Sequence, residues 1–222
     1  MSLKIDHPPA TLRDIVQDKM REAIISGLFK PGERLVERPL CEQLGVSRTV
    51  IRETIRYLEA EGLVQILPNR GPIVARMDWD DARQIYEIRE KLETSAAIRC
   101  AEISSPELIA ELDRALVELD QAIASGSAGD LYRVSTEFYR VIFETAGQTI
   151  AWEIVQRLNG RIGRLRAMTL STEDRKTSGP AHMRAIRNAI ADGDVSATQS
   201  AVGAHLADAA SVAKRLLEQD QE

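Results

Sequence analysis

Three arginines and two threonines crowd one short stretch, Arg48-Thr49-Val50-Ile51-Arg52-Glu53-Thr54-Ile55-Arg56, with the arginines at a spacing suited to gripping an anion. On a helical wheel at about 100° per residue with Arg48 at zero, Arg52 falls at about 40°, Arg56 at about 80° and Thr49 at about 100°. Ile51, Thr54, Ile55 and Leu58 gather on the opposite arc, at roughly 240° to 340°. One face is therefore apolar. The other offers guanidiniums, which pair bidentately with guanine edges or phosphate oxygens, and a hydroxyl that serves either role. An arginine stripe by itself is the ordinary solvated face of a helix. Here it stands behind a short turn, Gly45-Val46-Ser47, and ahead of a second basic point, Arg70-Gly71.

The histidines are the other candidates for chemistry, and there are three: His7, His182 and His205. They support no hydrolytic site. The chain has no Gly-x-Ser-x-Gly elbow and no glycine-rich phosphate loop after a strand, so a helical enzyme is the remote alternative. Cys41 and Cys100 lie far apart, too few for a disulfide framework or a cysteine zinc site, and read as reduced helix residues.

The elements that must position the arginines follow from local signals. Apolar residues at helical spacing run from Thr11 to Ser26, and Gly27 ends that helix. A second helix runs from Glu37 to Leu44 with Gly45 as its stop. A third is capped by Ser47 and continues to Glu61, before Gly62. Leu63–Leu67, the turn Pro68-Asn69-Arg70-Gly71, and Pro72–Ala75 then read as a hairpin. Helix, helix-turn-helix, hairpin is the order of a winged helix. A recognition helix enters the major groove with its N-terminal residues nearest the bases, which places Arg48 and Thr49 there. Val50 can meet a thymine methyl, Arg38 a phosphate, and Arg70 and Gly71 the flanking groove.

Beyond Asp78 everything reads helical. One helix spans Asp80 to Ala101, with Ile85, Ile88, Leu92 and Ala96 on one face. Others open at Ser105-Pro106-Glu107 and run through Leu131 to Thr145. A single long helix is expected over Thr149–Met168. The polar stretch Ser171–Pro180 then leads to a helix ending at Asp192-Gly193, and the last helix starts at Asp194. The fold class is mainly α: an N-terminal winged helix-turn-helix (three helices plus a β-hairpin wing) and a C-terminal all-α helical bundle. The expected layout is a mobile tail over 1–10, the winged domain over 11–76, a linker over 77–79 and the bundle over 80–218.

The segment FKPGERLVERPLCEQLGVSRTVIRETIRYLEAEGLVQILPNRGPIVAR closely resembles the N-terminal domain of the GntR family of bacterial regulators. Its marks are the Pro-Gly-Glu-Arg-Leu turn, Gly-Val-Ser-Arg-Thr and Asn-Arg-Gly; Val50 stands where many relatives carry Pro. The resemblance implies DNA contacts by Arg38, Ser47, Arg48, Thr49, Arg52 and the wing, and a homodimer on a near-palindromic operator. Arg56 joins them from the wheel alone. Residues 79–218 resemble the FCD effector domain of the FadR subfamily, through IYEIREKLETSAA, STEFYRVIFETAGQ and HMRAIRNAIADGDVSATQSAVGAHL.

In many such relatives an Asp and a His four residues apart join two later histidines around a divalent metal. The later pair here is His182 and His205, but the first pair aligns with Ser135 and Tyr139. A hydroxyl and a neutral phenol are poor ligands, and two imidazoles alone hold a metal weakly. Weak divalent metal at this degenerate site, and hence a metal-dependent sensor, is the alternative. The leading expectation is an apolar pocket rimmed by Ser135, Tyr139, His182 and His205. Arg89, which matches a recurrent arginine of the family, would clamp a carboxylate or pair with Glu93 at the surface. Of Arg161, Arg164 and Arg166, one or two should face inward. The resemblance implies a small organic acid as effector, and repression as the outcome.

Composition agrees with that division. The chain has 222 residues, 44% hydrophobic, 28% charged and only 4% aromatic, a helical bias. Its net charge of −5 is uneven. Residues 1–76 carry 12 Lys and Arg against 10 Asp and Glu, and the remainder 17 against 24. An acidic body with a mildly basic head fits local rather than non-specific nucleic-acid contacts. No apolar run approaches the ~20 residues that span a bilayer, and a cytoplasmic location is expected.

Overall fold

Thr11 starts the first helix by closing a reciprocal cap. Its hydroxyl accepts from the Asp14 amide at 3.3 Å, and the Asp14 carboxylate accepts from the Thr11 amide at 2.8 Å. The computed structural model describes residues 11–170 and 172–219. The stretch 1–10, expected to be a tail, lies outside them, as does Ser171. The chain divides into two compact units, 1–75 and 76–222.

The first unit holds α1 (Leu12–Ile25), α2 (Glu37–Leu44), α3 (Arg48–Ala60), β1 (Val64–Leu67) and β2 (Gly71–Val74). Helix α2 stops at Gly45, whose φ of +66° is a left-handed conformation open to a residue without Cβ. Two residues later Ser47 caps α3, its hydroxyl accepting from the Val50 amide at 3.4 Å. The tight turn between the two helices thus has both its stop and its start written in side-chain chemistry. Strands β1 and β2 pair antiparallel from Val64↔Val74 to Leu67↔Gly71. The free edge of β2 is covered by residues 33–35: the Val74 amide donates to Glu33 O at 2.8 Å, and the Leu35 amide to Pro72 O at 2.9 Å. Val16, Met20, Ile24, Leu35, Leu40, Ile51, Ile55, Leu58, Leu63 and Val74 make its core. Leu12 and Ile15, although apolar, are exposed on α1.

The second unit is a bundle of α4 (Trp79–Ile103), α5 (Pro106–Ser125), α6 (Ala128–Thr145), α7 (Thr149–Arg157), α8 (Asn159–Leu170), α9 (Glu173–Ala191) and α10 (Val195–Gln219). Helix α4 packs along α10, and α9 lies against α10, α5 and α4. Met77 and Trp79 already pack on this core. Ile88, expected on the buried face of α4, is exposed. No helix among the described residues is long and apolar enough to cross a membrane.

Two expectations need correction. The long helix over Thr149–Met168 is two helices, broken at Leu158, where the chain runs into Asn159-Gly160, a pair of weak helix formers. The break lets α8 close on α6: a Cβ on Gly163 would stand 2.3 Å from the Tyr132 ring. The polar stretch before Pro180 is also helical. Helix α9 begins at Glu173, is capped by the Thr172 hydroxyl, and carries Pro180 in its interior. Proline is costly there, but Gly179 before it lets α9 meet Leu170, whose Cδ2 would lie 2.7 Å from a Cβ at that position.

Candidate nucleic-acid interface and ligand pocket

The apolar arc of α3 is buried as Ile51, Thr54, Ile55 and Leu58, which turns the arginine face outward. Ser47, Arg48, Thr49, Arg52 and Arg56 are exposed and Val50 half-buried. The first turn of α3 carries no acidic residue. Its exposed amide groups and the positive end of the helix dipole therefore stand open to phosphate. Two of the arginines are already held. Arg52 Nε donates to Glu37 Oε1 at 2.8 Å, a bond that keeps the Glu37 carboxyl below its ordinary range. Arg38 Nε donates to Glu42 Oε1 at 3.1 Å along α2, with both side chains largely in solvent. These exposed pairs are weak, and they orient the guanidiniums rather than occupy them.

At the wing, Arg70 is exposed on the β1–β2 turn and Gly71 half-buried beside it, with Asn69 in a left-handed conformation. Arg34, not singled out by sequence, lies here as well. Its Nη2 is 4.0 Å from where a Gly71 Cβ would be, because residues 33–35 run along β2. Its signal in the sequence was the Pro-Gly-Glu-Arg-Leu turn, whose arginine had no partner to place it.

In the second unit, Tyr86, Arg89, Ser135, Tyr139, Arg166, Thr169, Leu170, Arg175, Met183, His205 and Ala209 line one small cavity. Only about 10 Å³ of it can hold the centre of a water molecule, the space of roughly one water. Three of its walls are buried arginines: Arg89 and Arg175 are 1% exposed and Arg166 is 5%. Arg89 is neither on the surface nor free. Its Nε donates to Glu93 Oε1 at 2.7 Å and its Nη2 to Glu93 Oε2 at 3.3 Å, with Glu93 equally buried. Burial opposes the charge on Arg89, and the Glu93 carboxylate outweighs it.

Arg166 Nη2 reaches the same carboxylate at 3.4 Å, and its guanidinium carbon sits 4.4 Å from the centre of the Tyr139 ring. Burial and the nearby Arg89 charge draw the pKa of Arg166 down to about 10. Arg175 Nη1 donates to Asp208 Oδ2 at 2.5 Å, and the Ser178 hydroxyl to the same oxygen at 2.8 Å.

Ser135 and Tyr139 do come together with His205 at this cavity. The Ser135 hydroxyl donates to the Tyr132 carbonyl at 3.0 Å. Burial holds the Tyr139 phenol neutral, and its hydroxyl lies near Glu93 without a well-formed hydrogen bond. Burial and the surrounding guanidiniums keep His205 well below the usual imidazole range. His182 is not among the lining side chains. It is partly exposed, with Nε2 3.4 Å from Asp208 Oδ2 and its ring 6.1 Å from that of His205. Of the three α8 arginines, Arg166 is buried, and Arg161 and Arg164 are intermediate.

Both units match known families along the chain. The description "Bacterial regulatory proteins, gntR family" covers residues 12–74, and "FCD domain" covers residues 84–208. The chain belongs to the GntR family, with an FCD C-terminal domain. It is a helix-turn-helix transcriptional regulator of the FadR subfamily rather than an enzyme. It is 30% identical over 194 residues to an uncharacterized HTH-type transcriptional regulator from an unstable DNA locus of Streptomyces ambofaciens, covering 85% of this chain and 79% of the relative. Over 150 residues it is 27% identical to the HTH-type transcriptional repressor RspR of Escherichia coli, covering 68% of this chain and 66% of that one. Its fold is similar to that of E. coli McbR/YncC, with a TM-score of 0.75 at 24% identity over 96% of this chain and 100% of the other.

The divalent metal that the FCD resemblance brings with it does not fit this site. Ser135 and Tyr139 stand in place of two ligands, and three buried guanidiniums already crowd the cavity with positive charge. Among the described residues no group of His, Cys, Asp and Glu is clustered to hold an ion. Of the cavity's cationic residues, sequence reasoning named Arg89, narrowed Arg166 to one of three and missed Arg175. Arg166 was one of three indistinguishable arginines on a helix read as continuous, and Arg175 lay in a stretch read as a polar connection.

Proposed function

We propose that this GntR-family regulator is a repressor that binds a near-palindromic operator as a homodimer and is released by a small organic acid held in its C-terminal bundle. The observation that carries the reading is the buried cationic cavity, a place where an acid gains charge-assisted hydrogen bonds out of competition with water. Arg89, Ser135, Tyr139 and His205 are assigned to that site, with His182 acting on it through Asp208. Arg38, Ser47, Arg48, Thr49, Val50, Arg52, Arg56, Arg70 and Gly71 are assigned to DNA. Arg48 and Thr49 read base edges, Arg38 and the α3 N-terminus hold phosphate, and the wing lies over the flanking groove. The similarity to RspR, a transcriptional repressor, supports repression rather than activation.

An effector shifts the operator equilibrium only as far as it prefers one arrangement of the dimer over the other. The test is fluorescence anisotropy on an operator selected from random duplexes, with acids titrated in, alongside sedimentation of the free protein. The reading expects a dimer, and an acid that weakens operator binding and itself binds the operator complex more weakly than the free protein. Equal affinity of the acid for both forms, or a monomer on the operator, overturns it.

A further inference from the structure

Of the three arginines on the outward face of α3, Arg52 alone has an acid partner among the described residues, and that partner comes from another helix. Its Nε donates to Glu37 Oε1 at 2.8 Å across 15 positions of the chain. Arg38 and Glu42, by contrast, lie one turn apart on α2 with both side chains largely in solvent. Glu37 is the first residue of α2, and Val36 before it gives that helix no side-chain cap. Its carboxylate therefore stands at the positive end of the α2 dipole, where a negative charge is favoured. Only 31% of the Glu37 side chain is exposed. The bond to Arg52 holds its carboxyl below the ordinary range, and Arg48 is a further positive neighbour. Glu37 is thus an anchored anion beside the arginine face of α3.

A single bond at Nε leaves a defined remainder. Nη1 and Nη2 of Arg52 have no partner among the described residues, and 63% of the side chain is exposed. That end-on edge is a planar pair of donors, matched to O6 and N7 of guanine. An arginine already held at Nε gives up less rotamer freedom on binding than a free one. The same partner offsets its charge, and attraction to phosphate depends on charge. On a recognition helix the carboxylate also repels the DNA backbone, and discrimination between duplexes comes from repulsion as well as attraction.

We infer that Glu37 is a positioning residue for DNA reading: it holds Arg52 by Nε so that Nη1 and Nη2 meet a guanine edge, and its charge withholds Arg52 from non-specific phosphate. The inference rests on the reading of α3 as the recognition helix, and assigns Arg52 to a base.

The experiment uses the full chain, with fluorescence anisotropy on the selected operator and on a random duplex over a range of salt concentrations. Glu37→Ala frees Arg52. The ratio of operator to random affinity should fall by about tenfold. The slope of log K against log salt on the random duplex should steepen by about 0.9, as Arg52 turns to phosphate. A loss of fold would weaken both duplexes and steepen neither slope. Glu37→Gln keeps an oxygen for Nε but drops the charge. It should retain the preference for guanine at the Arg52 position and still show the steeper slope. In an Arg52→Ala background, Glu37→Ala should leave the ratio unchanged.

The inference is overturned by a wild-type ratio in Glu37→Ala, by equal losses on operator and random duplex, by an unchanged or shallower random-duplex slope, or by the same fall in ratio without Arg52. The arginine variants separate its failure from that of the reading beneath it. A ratio that falls in Arg52→Ala but not in Glu37→Ala overturns the inference and leaves the recognition helix standing. A wild-type ratio in both Arg48→Ala and Arg52→Ala removes the recognition helix, and the inference with it.

Discussion

Arg89 and Glu93 form a two-bond ion pair one helical turn apart on α4, at 2.7 and 3.3 Å, with side chains 1% and 0% exposed. On a helix surface such an i,i+4 pair contributes a few tenths of a kcal/mol. Shut inside the bundle it behaves differently, because either charge left alone has no water to solvate it. Glu93→Ala would strand both Arg89 and Arg166, and should cost about 3–5 kcal/mol in urea unfolding. The double change Arg89→Met with Glu93→Leu should recover most of that loss. If it does not, packing rather than charge governs the site.

For the DNA face, the two kinds of arginine should separate by assay. On the proposed reading Arg48 meets a base edge, so Arg48→Ala should cost about 1–3 kcal/mol on the operator, with relaxed specificity at one position. Arg38→Ala would, on the same reading, remove a phosphate contact. It should weaken operator and random duplex alike and reduce the slope of log K against log salt by about 0.9. Wild-type operator affinity in both Arg48→Ala and Arg52→Ala would remove α3 from the major groove.

His205 sets an acid limit on stability. The folded state holds it neutral, while in the unfolded chain it takes up a proton at about pH 6.5. Below that pH the unfolded state binds more protons, so stability falls as pH falls. The loss is about 1.4 kcal/mol per pH unit for this one group until the folded-state pKa is reached. Urea midpoints of wild type and His205→Gln, compared at pH 7.5, 6.0 and 5.0, should diverge by that slope on acidification. Parallel curves would mean the imidazole protonates in place.

At Gly163 α8 lies tight against α6, where an added Cβ would lie 2.3 Å from the Tyr132 ring. Gly163→Ala should cost about 1–3 kcal/mol by overpacking, despite alanine's better helix propensity. In a Tyr132→Ala background the same change should be neutral or stabilising. Additive costs in the double variant would place the strain elsewhere.

The winged head was legible almost residue by residue, because its signals are local. A glycine that accepts φ of +66°, a serine cap two residues on, and an apolar arc of period 3.6 specify the turn and the outward arginines without reference to distant parts of the chain. The pocket was legible only in outline. Ser135, Tyr139 and His205 were found as family positions, yet Arg166 was narrowed only to one of three arginines and nothing gave away Arg175. Whether an arginine lies in solvent or in a core depends on which helices pack around it, and that is set by contacts over long separations in the chain. Glu93 looked like a surface partner for Arg89 for the same reason: spacing along a helix establishes that two side chains meet, but not on which side of the helix the bundle closes. Local chemistry thus wrote the DNA-reading head. Only the closing of α4, α6, α8, α9 and α10 on one another made three ordinary arginines into a buried cationic cavity, because burial, which turns a weak charge into a demanding one, is a property of the packed bundle.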